Sequence, residues 1–268
     1  MTSSFQIVNQ AFSKQSAHYD ADDLQNSILK EWRAHVYNHV HPFLKPEHHM
    51  LELNAGTGLD ALYFASCGNT VLATDLSDGM VREISRKMQQ HSLTGRLNVQ
   101  QLSYDALNQI KDKKFDYVFS NFGGLNCIDD LSKVTMHLPA LLNKGAFVTW
   151  VIMPKVSIWE MTGFLKGHGR KAFRRWKKNG VMAHLEGEYF KTYYHSLSDI
   201  RKAFGASFRC IQTEGLGILS PPPHRDDLAR NRPLMYAALR KIDEQVRDSF
   251  PFNRWGDHII VTFQYQGQ

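Results

Sequence analysis

The sequence predicts an α/β fold in which a mostly parallel, doubly wound β-sheet carries helices on both faces. Over residues 50–153, short apolar or β-branched segments alternate with amphipathic segments, and such alternation is typical of a parallel sheet. A glycine turn, Gly56-Thr57-Gly58, separates the first strand from the first helix of this series. The chain has 268 residues, of which 43% are hydrophobic, so it can bury one sizeable core. We expect a single elaborated domain over residues 1–268.

A helical segment over residues 1–42 precedes the first predicted strand. Apolar residues recur there at spacings of four, which places them on one helical face that ends before Pro42. They are Leu24, Ile28, Trp32, Val36 and Val40.

Five strands with intervening helices are expected over residues 50–153. The first strand covers residues 50–53, and the second covers residues 70–74 and ends at Asp75, with Ser77 as the N-cap of the next helix. The remaining strands of this series are 97–104, 115–120 and 146–153, with a helix from about 129 to 142 before the last.

The alternation breaks after residue 153. Strands are predicted at 188–195, 208–214 and 258–265, and helices at 198–204 and 233–247. The segments 154–187 and 218–250 are interpreted as insertions that form a cap over the substrate.

The glycine turn and a downstream aspartate predict a nucleotide-like ligand. Gly56 and Gly58 let the backbone approach a ligand and leave N–H groups exposed at a helix N-terminus. Asp75 stands 19 residues beyond Gly56, where dinucleotide-binding folds place a carboxylate that accepts hydrogen bonds from ribose. Both NAD and S-adenosylmethionine fit this pattern. Glu52 favours S-adenosylmethionine, because a carboxylate attracts its ammonium group and would repel a pyrophosphate.

Several segments resemble the motifs of class I S-adenosylmethionine-dependent methyltransferases. Residues 51–58, Leu-Glu-Leu-Asn-Ala-Gly-Thr-Gly, resemble the first motif, an acidic residue followed by spaced glycines. Residues 71–77 resemble the second motif, 104–106 the adenine-contacting segment, 115–121 the fourth motif and 141–148 the approach to the fifth strand. The motifs stand in the order that this family has.

The N-terminal residues 11–20 resemble the entry segment of the small-molecule branch of that family, the ubiquinone-biosynthesis-like type 11 enzymes. The resemblance implies a seven-stranded sheet whose last strand is antiparallel, and S-adenosylmethionine as cofactor. The implied cofactor-binding residues are Tyr19, Glu52, Asn54, Gly56, Gly58, Asp75, Leu76, Asp105, Ala106 and Asn121.

The resemblance also implies a role for most of these residues. Asp75 would bind the ribose, Leu76 would pack against adenine, Asp105 would bind the adenine amino group, and Tyr19 would close over the cofactor. Asn54 is a departure, because the family more often has glycine there, but asparagine tolerates a left-handed backbone conformation.

Catalysis by such a protein depends mainly on alignment, because the sulfonium of the cofactor is already a strong electrophile. A histidine would help if the acceptor were a phenol or alcohol. His195, His224 and His258 lie near predicted strand ends or loops, and His195 is our candidate base. No metal site is predicted, since the three cysteines lie far apart without a C-x-x-C pair.

The insertion over residues 155–178 is the most basic part of the chain, with eight Lys or Arg residues against Glu160 alone. Aromatic residues are interleaved with these cations. The pattern fits a cap over an anionic acceptor, a patch that reaches a lipid, an RNA contact, or a solvated amphipathic helix.

The preferred function is methyl transfer to a small molecule, with an anionic or lipid-like acceptor among the options. Two alternatives stay open, an RNA-directed or non-catalytic nucleic-acid-binding protein that uses the basic insertion, and an NAD-dependent oxidoreductase. The net charge of +6 is small for this length, so we expect no stable nucleic-acid partner. The polar N-terminus and the absence of a long apolar run predict a cytoplasmic protein without a transmembrane segment.

Overall fold

A seven-stranded sheet forms the centre of the chain in the computed structural model, which describes residues 4–162 and 173–267. Its strands lie in the spatial order β3-β2-β1-β4-β5-β9-β8. The strand bounds are β1 His49–Leu53, β2 Thr70–Asp75, β3 Leu97–Gln101, β4 Phe115–Ser120, β5 Leu142–Ile152, β8 Phe208–Leu216 and β9 His258–Tyr265.

The first five strands are parallel to one another, and β9 is antiparallel to both of its neighbours, β5 and β8. The sequence-based fold class is therefore confirmed, including the antiparallel last strand. Strand β4 has the predicted bounds, whereas β3 ends at Gln101 rather than Tyr104 and β5 begins at Leu142 rather than Ala146.

Helices cover both faces of this sheet. Their bounds are α1 Ser4–Gln15, α2 Tyr19–Gln25, α3 Ser27–Val40, α4 Leu59–Ser66, α5 Asp78–Gln90, α6 Ser132–Thr135, α7 Leu138–Leu141, α8 Ile158–Met161, α9 Leu197–Phe204, α10 Asp226–Asn231 and α11 Pro233–Val246. Buried residues of α3, α4 and α5 pack on one face, and those of α6, α7 and α9 pack on the other.

The predicted N-terminal helical face is correct from Ile28 onward and wrong at Leu24. Ile28, Trp32, Val36 and Val40 are buried, but Leu24 is exposed. The cause is a helix boundary, because the side chain of Asn26 caps α3 by accepting a hydrogen bond from the amide of Leu29. Leu24 belongs to the preceding helix and does not continue the apolar face.

The structure has two short helices, α6 and α7, where one helix over residues 129–142 was predicted. The break occurs because Pro139, near the start of α7, has no backbone N–H to donate a hydrogen bond to the preceding turn. Helix α5 begins as expected, with the hydroxyl of Ser77 accepting a hydrogen bond from the amide of Met80 at 3.2 Å.

The insertion after β5 contains a two-stranded antiparallel hairpin, β6 Val181–Leu185 and β7 Glu188–Thr192. Only β7 was predicted. The two turn residues, Glu186 and Gly187, have φ angles of 51° and 81°, and positive φ at both central positions matches the right-handed twist of a tight hairpin. This hairpin packs beside α1, with the rings of Phe12 and Phe190 at 5.8 Å.

None of the helices in the described part of the chain combines the length and the apolar character that a bilayer crossing requires.

Candidate active site

A cavity of about 250 Å³ lies at the carboxyl ends of β1, β2 and β4, which is the edge where open α/β sheets bind ligands. Its walls come from the loop after β1, the end of β2, the loop after β4, helices α1, α2 and α3, and strand β7. Among the described residues of the predicted cap regions 154–187 and 218–250, none lines this cavity. The N-terminal helices and β7 cover it instead.

The loop after β1 adopts the conformation that its glycines permit. Asn54 and Gly56 have φ angles of 46° and 57°, so the left-handed conformation predicted for Asn54 is present. A side chain on Gly56 would meet no atom within 4 Å, because this residue borders the open cavity. Gly58 serves packing, since an added Cβ would lie 2.9 Å from Cγ1 of Ile84.

Asp75 lies at the end of β2 and is held by two backbone amides. Its Oδ2 accepts a hydrogen bond from the amide of Gly56 at 2.9 Å, and its Oδ1 accepts one from the amide of Ser77 at 2.8 Å. Burial raises the pKa of this carboxyl to about 6, although the two amides work in the opposite direction. Leu76 follows it in the cavity wall.

The loop after β4 is fitted tightly against Asn54. The amide group of Asn54 accepts a hydrogen bond from the hydroxyl of Ser120 at 2.9 Å. It also lies over Gly124, where an added Cβ would be 2.2 Å from Nδ2 of Asn54. Asn54 stands where the family more often has glycine. Its side chain fits there only because Gly124 has no side chain.

Sequence reasoning missed an ionic cluster on the cavity wall. Arg33 on α3 pairs with Asp23 at 2.7 Å and also with Asp60. Asp60 accepts further hydrogen bonds from the hydroxyl of Tyr37 at 2.7 Å and from Nδ2 of Asn121 at 2.9 Å. Asp60 thereby joins α3, α4 and the end of β4.

Glu52 lies beneath this cluster rather than in the cavity wall. It is 1% exposed, and its Oε2 has no hydrogen-bond partner among the described residues. Burial and the neighbouring Asp60 raise the pKa of Glu52 well above its usual range. A cation that entered the cavity would stabilise the ionised form.

The segment after β3 supplies different residues from those expected. Leu102 and Tyr104 line the cavity, whereas Asp105 and Ala106 do not. The carboxylate of Asp105 accepts a hydrogen bond from the hydroxyl of Ser103, so it is engaged with its own loop. Tyr104 and Leu102 offer the apolar surface that a flat ring requires.

Tyr19 lines the cavity beside Arg33, and burial raises the pKa of its phenol to about 12. The helices that carry Tyr19 are docked on the rest of the fold. Lys87 on α5 pairs with Asp20 and donates to the carbonyl of Thr57 at 2.9 Å. The N-terminal segment thus closes one side of the cavity.

The structure gives no support to His195 as a base. This ring is buried outside the cavity wall, and its Nε2 lies 3.1 Å from the carbonyl oxygen of Ile128. Burial lowers its pKa, as expected for a histidine that is packed as a neutral ring. We interpret its contact with Ile128 as structural.

Residues 50–145 match the family model described as a methyltransferase domain. The match covers the glycine loop, Asp75 and the loop after β4, which together border the cavity.

Solved structures share the fold of this chain at low sequence identity. A putative S-adenosylmethionine-dependent methyltransferase from Listeria monocytogenes has 16% identity and a TM-score of 0.57, over 86% of this chain and 96% of that one. A methyltransferase from Methanosarcina mazei has 14% identity and a TM-score of 0.59, over 85% and 97% of the two chains. No curated protein matches this chain in sequence.

A third solved structure is the geranyl diphosphate C-methyltransferase from Streptomyces coelicolor, bound to geranyl diphosphate and S-adenosylhomocysteine. It has 10% identity and a TM-score of 0.57, over 88% of this chain and 79% of that one. At these identities the comparisons establish a shared fold.

Proposed function

We propose that this protein transfers the methyl group of S-adenosylmethionine to a small molecule, and that both bind in the cavity at the carboxyl edge of the sheet. The observation that carries the proposal is that α1, α2 and β7 border this cavity together with the glycine loop and Asp75. A concave site of this size suits a small acceptor.

The residues present fit the cofactor at its nucleoside end. Asp75 keeps acceptor capacity for ribose hydroxyls beyond the two amide bonds that hold it. Leu76, Leu102 and Tyr104 form apolar walls next to it, and we assign the adenine ring to this part of the cavity. Asp105 and Ala106 would then act only through the shape of the loop.

The residues also fit the methionine end. Gly56 leaves free space beside the loop, and Asn121 lines the cavity. Arg33 offers a guanidinium to a carboxylate, and Asp60 supplies negative charge for an ammonium group. The buried Glu52 would add charge only once a bound cation ionised it. We propose that these residues bind the methionine part, with Tyr19 closing over it.

The cofactor supplies the activated methyl group, and the protein has to align the acceptor and exclude water. The part of the cavity beyond the proposed cofactor site is mostly apolar. Val8, Phe12, Met153 and Phe190 line it, which suits an acceptor with an apolar body. We expect the acceptor to lie between these side chains and the loop after β4.

The competing RNA-directed function draws little support from the described part of the basic insertion. Arg174 and Arg175 bind Glu160 at 2.8 Å, and Arg175 also binds Asp257. These cations are paired within the protein and are not free for phosphates. Lys166, Arg170 and Lys171 lie outside the described residues.

A labelling experiment tests the proposal. The protein would be incubated with methyl-labelled S-adenosylmethionine and a cell extract that has been separated into small-molecule, RNA and protein fractions. We expect label only in the small-molecule fraction, and its loss in the Asp75→Ala variant. A Glu83→Ala variant is the matched control, because Glu83 pairs with Arg86 on the outer side of α5. Label in RNA or protein would contradict the proposal.

A further inference from the structure

We propose that His258, next to the Asp257 carboxylate, is the general base of the reaction, and that the acceptor is a small apolar molecule methylated on a hydroxyl oxygen. This inference rests on the proposed function and names the acceptor class of the same site. The observation behind it is the position of the His258 ring, which lies behind the loop after β4.

The ring lies next to the acceptor end of the cavity. His258 is the first residue of β9, and the pairing of Ile259 with Ile152 sets it beside Met153 at the carboxyl end of β5. Met153 and Gly123 both line the cavity. A Cβ added to Gly123 would lie 3.3 Å from Nε2 of His258. His258 itself is not among the residues that line the cavity, and its Nε2 lies directly behind Gly123 and Met153, which are.

Nε2 of His258 has no hydrogen-bond partner within the described residues. The ring is fixed on two sides by edge-on aromatic contacts, with Trp32 at 5.8 Å and Phe122 at 6.0 Å between ring centroids. A nitrogen that is held in place and left unpaired beside a ligand cavity is the arrangement a general base requires.

The other nitrogen faces a carboxylate. Nδ1 is buried and lies 3.0 Å from Oδ2 of Asp257, although the two atoms are not aligned as a hydrogen bond. Catalytic hydrogen bonds are often poorly aligned before the substrate binds. A carboxylate on this side favours the tautomer with the proton on Nδ1, so that Nε2 carries the free lone pair, and it stabilises the ring once it is protonated.

Asp257 is itself kept ionised. Burial acts against the charge, but His258 and Arg175 hold the pKa of this carboxyl well below its usual range. Nη2 of Arg175 donates to Oδ1 of Asp257 at 2.8 Å. On the other side of the ring, Phe122 separates His258 from Arg33, which lies 5.0 Å above the ring of Phe122. Thus Asp257 is a positioning residue that Arg175 anchors.

The chemical step balances with these groups. The O–H bond of the acceptor breaks and its proton moves to Nε2 of His258. The oxygen forms a bond to the methyl carbon, the carbon–sulfur bond breaks, and its electron pair stays on sulfur. The proton then passes to water. An acceptor whose attacking atom carries no proton would gain nothing from this base.

Two phenols of different acidity test the proposal. The wild type, His258→Gln and Asp257→Asn would each be assayed with methyl-labelled S-adenosylmethionine, using para-cresol and para-nitrophenol at a pH where only the latter is ionised. We expect His258→Gln to lower the rate with para-cresol by about 10²–10⁴-fold. The rate with para-nitrophenol should be nearly unchanged, because its proton is already gone.

The pH profile separates a catalytic from a structural role. With para-cresol the wild-type rate should level off as the pH rises, whereas the rates of both variants should rise continuously with pH. Calorimetric titration with S-adenosylhomocysteine checks the fold and the cofactor site of each variant, and its affinity should not change.

Three results would overturn this inference: equal losses with both phenols, methylation of amines alone, or no methylation of any phenol by a wild type that binds S-adenosylhomocysteine. A wild type that does not bind S-adenosylhomocysteine would instead contradict the proposed function.

Discussion

The amide of Gly56 donates a hydrogen bond of 2.9 Å to the carboxylate of Asp75. This bond joins the loop after β1 to the end of β2 and connects the two motifs from which the cofactor was inferred. It also couples the charge of Asp75 to the shape of the loop. Changes at either residue should therefore be visible in cofactor binding.

Cofactor affinity should depend on pH through Asp75. Burial raises the pKa of this carboxyl to about 6, and the ionised form is the stronger acceptor for ribose hydroxyls. Protonation therefore opposes binding, so the affinity for S-adenosylhomocysteine should be constant at high pH and fall as the pH is lowered through about 6. Titration calorimetry across this range measures the effect. Asp75→Asn should bind about 10–100-fold more weakly, and its affinity should not show this pH dependence.

The contact between Asn54 and Gly124 should be testable by a pair of substitutions. Gly124→Ala places a methyl group 2.2 Å from Nδ2 of Asn54 and should cost about 1–3 kcal/mol of stability. Adding Asn54→Gly should recover most of this loss, because the space above residue 124 is then open. Urea denaturation of the single and double variants measures the coupling. Additive effects would contradict the proposed contact.

Docking of the N-terminal helix should depend on Gly79. An added Cβ there would lie 2.7 Å from Cα of Ser13 on α1, although Gly to Ala in a helix ordinarily stabilises by about 0.5–1 kcal/mol. Gly79→Ala should expose α1 to proteolysis and weaken binding of S-adenosylhomocysteine. Gly95→Ala is the control, since its methyl group would meet nothing within 4 Å. Equal protease sensitivity of both variants would show that α1 is not docked in this way.

A buried polar chain beneath α3 should contribute to stability. Glu214 accepts hydrogen bonds from His39 at 2.5 Å and from His35 at 2.7 Å, and His39 also contacts Thr262. Burial opposes its charge, but the two histidines hold the pKa of Glu214 well below its usual range. Removing one partner, as in His39→Leu, should cost about 3–5 kcal/mol.

The sign of the pH effect follows from that depressed pKa. Glu214 contributes its full stability above the carboxyl's unfolded value of 4.5, and the contribution falls as the pH decreases below it. The free energy of unfolding, measured with urea, should therefore decline on acidification. Glu214→Gln should lack this part of the decline. His41→Leu, at an exposed residue, is the control and should behave like the wild type.

Much of the fold could be predicted because its signals are local. Strands β1, β2 and β4 are short apolar segments that end at turn or polar residues, and Ser77 begins its helix as an N-cap should. Strand β6, Val181–Leu185, was missed because four of its five residues are apolar although none is buried, so no alternation of polarity marks its two faces. The pairing of β6 with β7 depends on the positive φ angles of Glu186 and Gly187, and the residues of β6 do not predict that turn.

The site was less predictable than the fold, because its parts meet only in three dimensions. Arg33 and Asp60 are 27 residues apart on different helices, and each has an ordinary surface explanation when taken alone. Asp257 and His258 are adjacent in sequence, but their link to the cavity depends on Gly123, which lies on another loop. His195 seemed as good a candidate because burial and direction cannot be read from the sequence.

The most direct test of the central claim is calorimetric titration of the purified protein with S-adenosylhomocysteine and, separately, with NADH, for the wild type, Asp75→Ala and the control Glu83→Ala. We predict micromolar binding of S-adenosylhomocysteine and no binding of NADH, with the former lost in Asp75→Ala and kept in Glu83→Ala. Failure to bind S-adenosylhomocysteine, or a preference for NADH, would contradict the account.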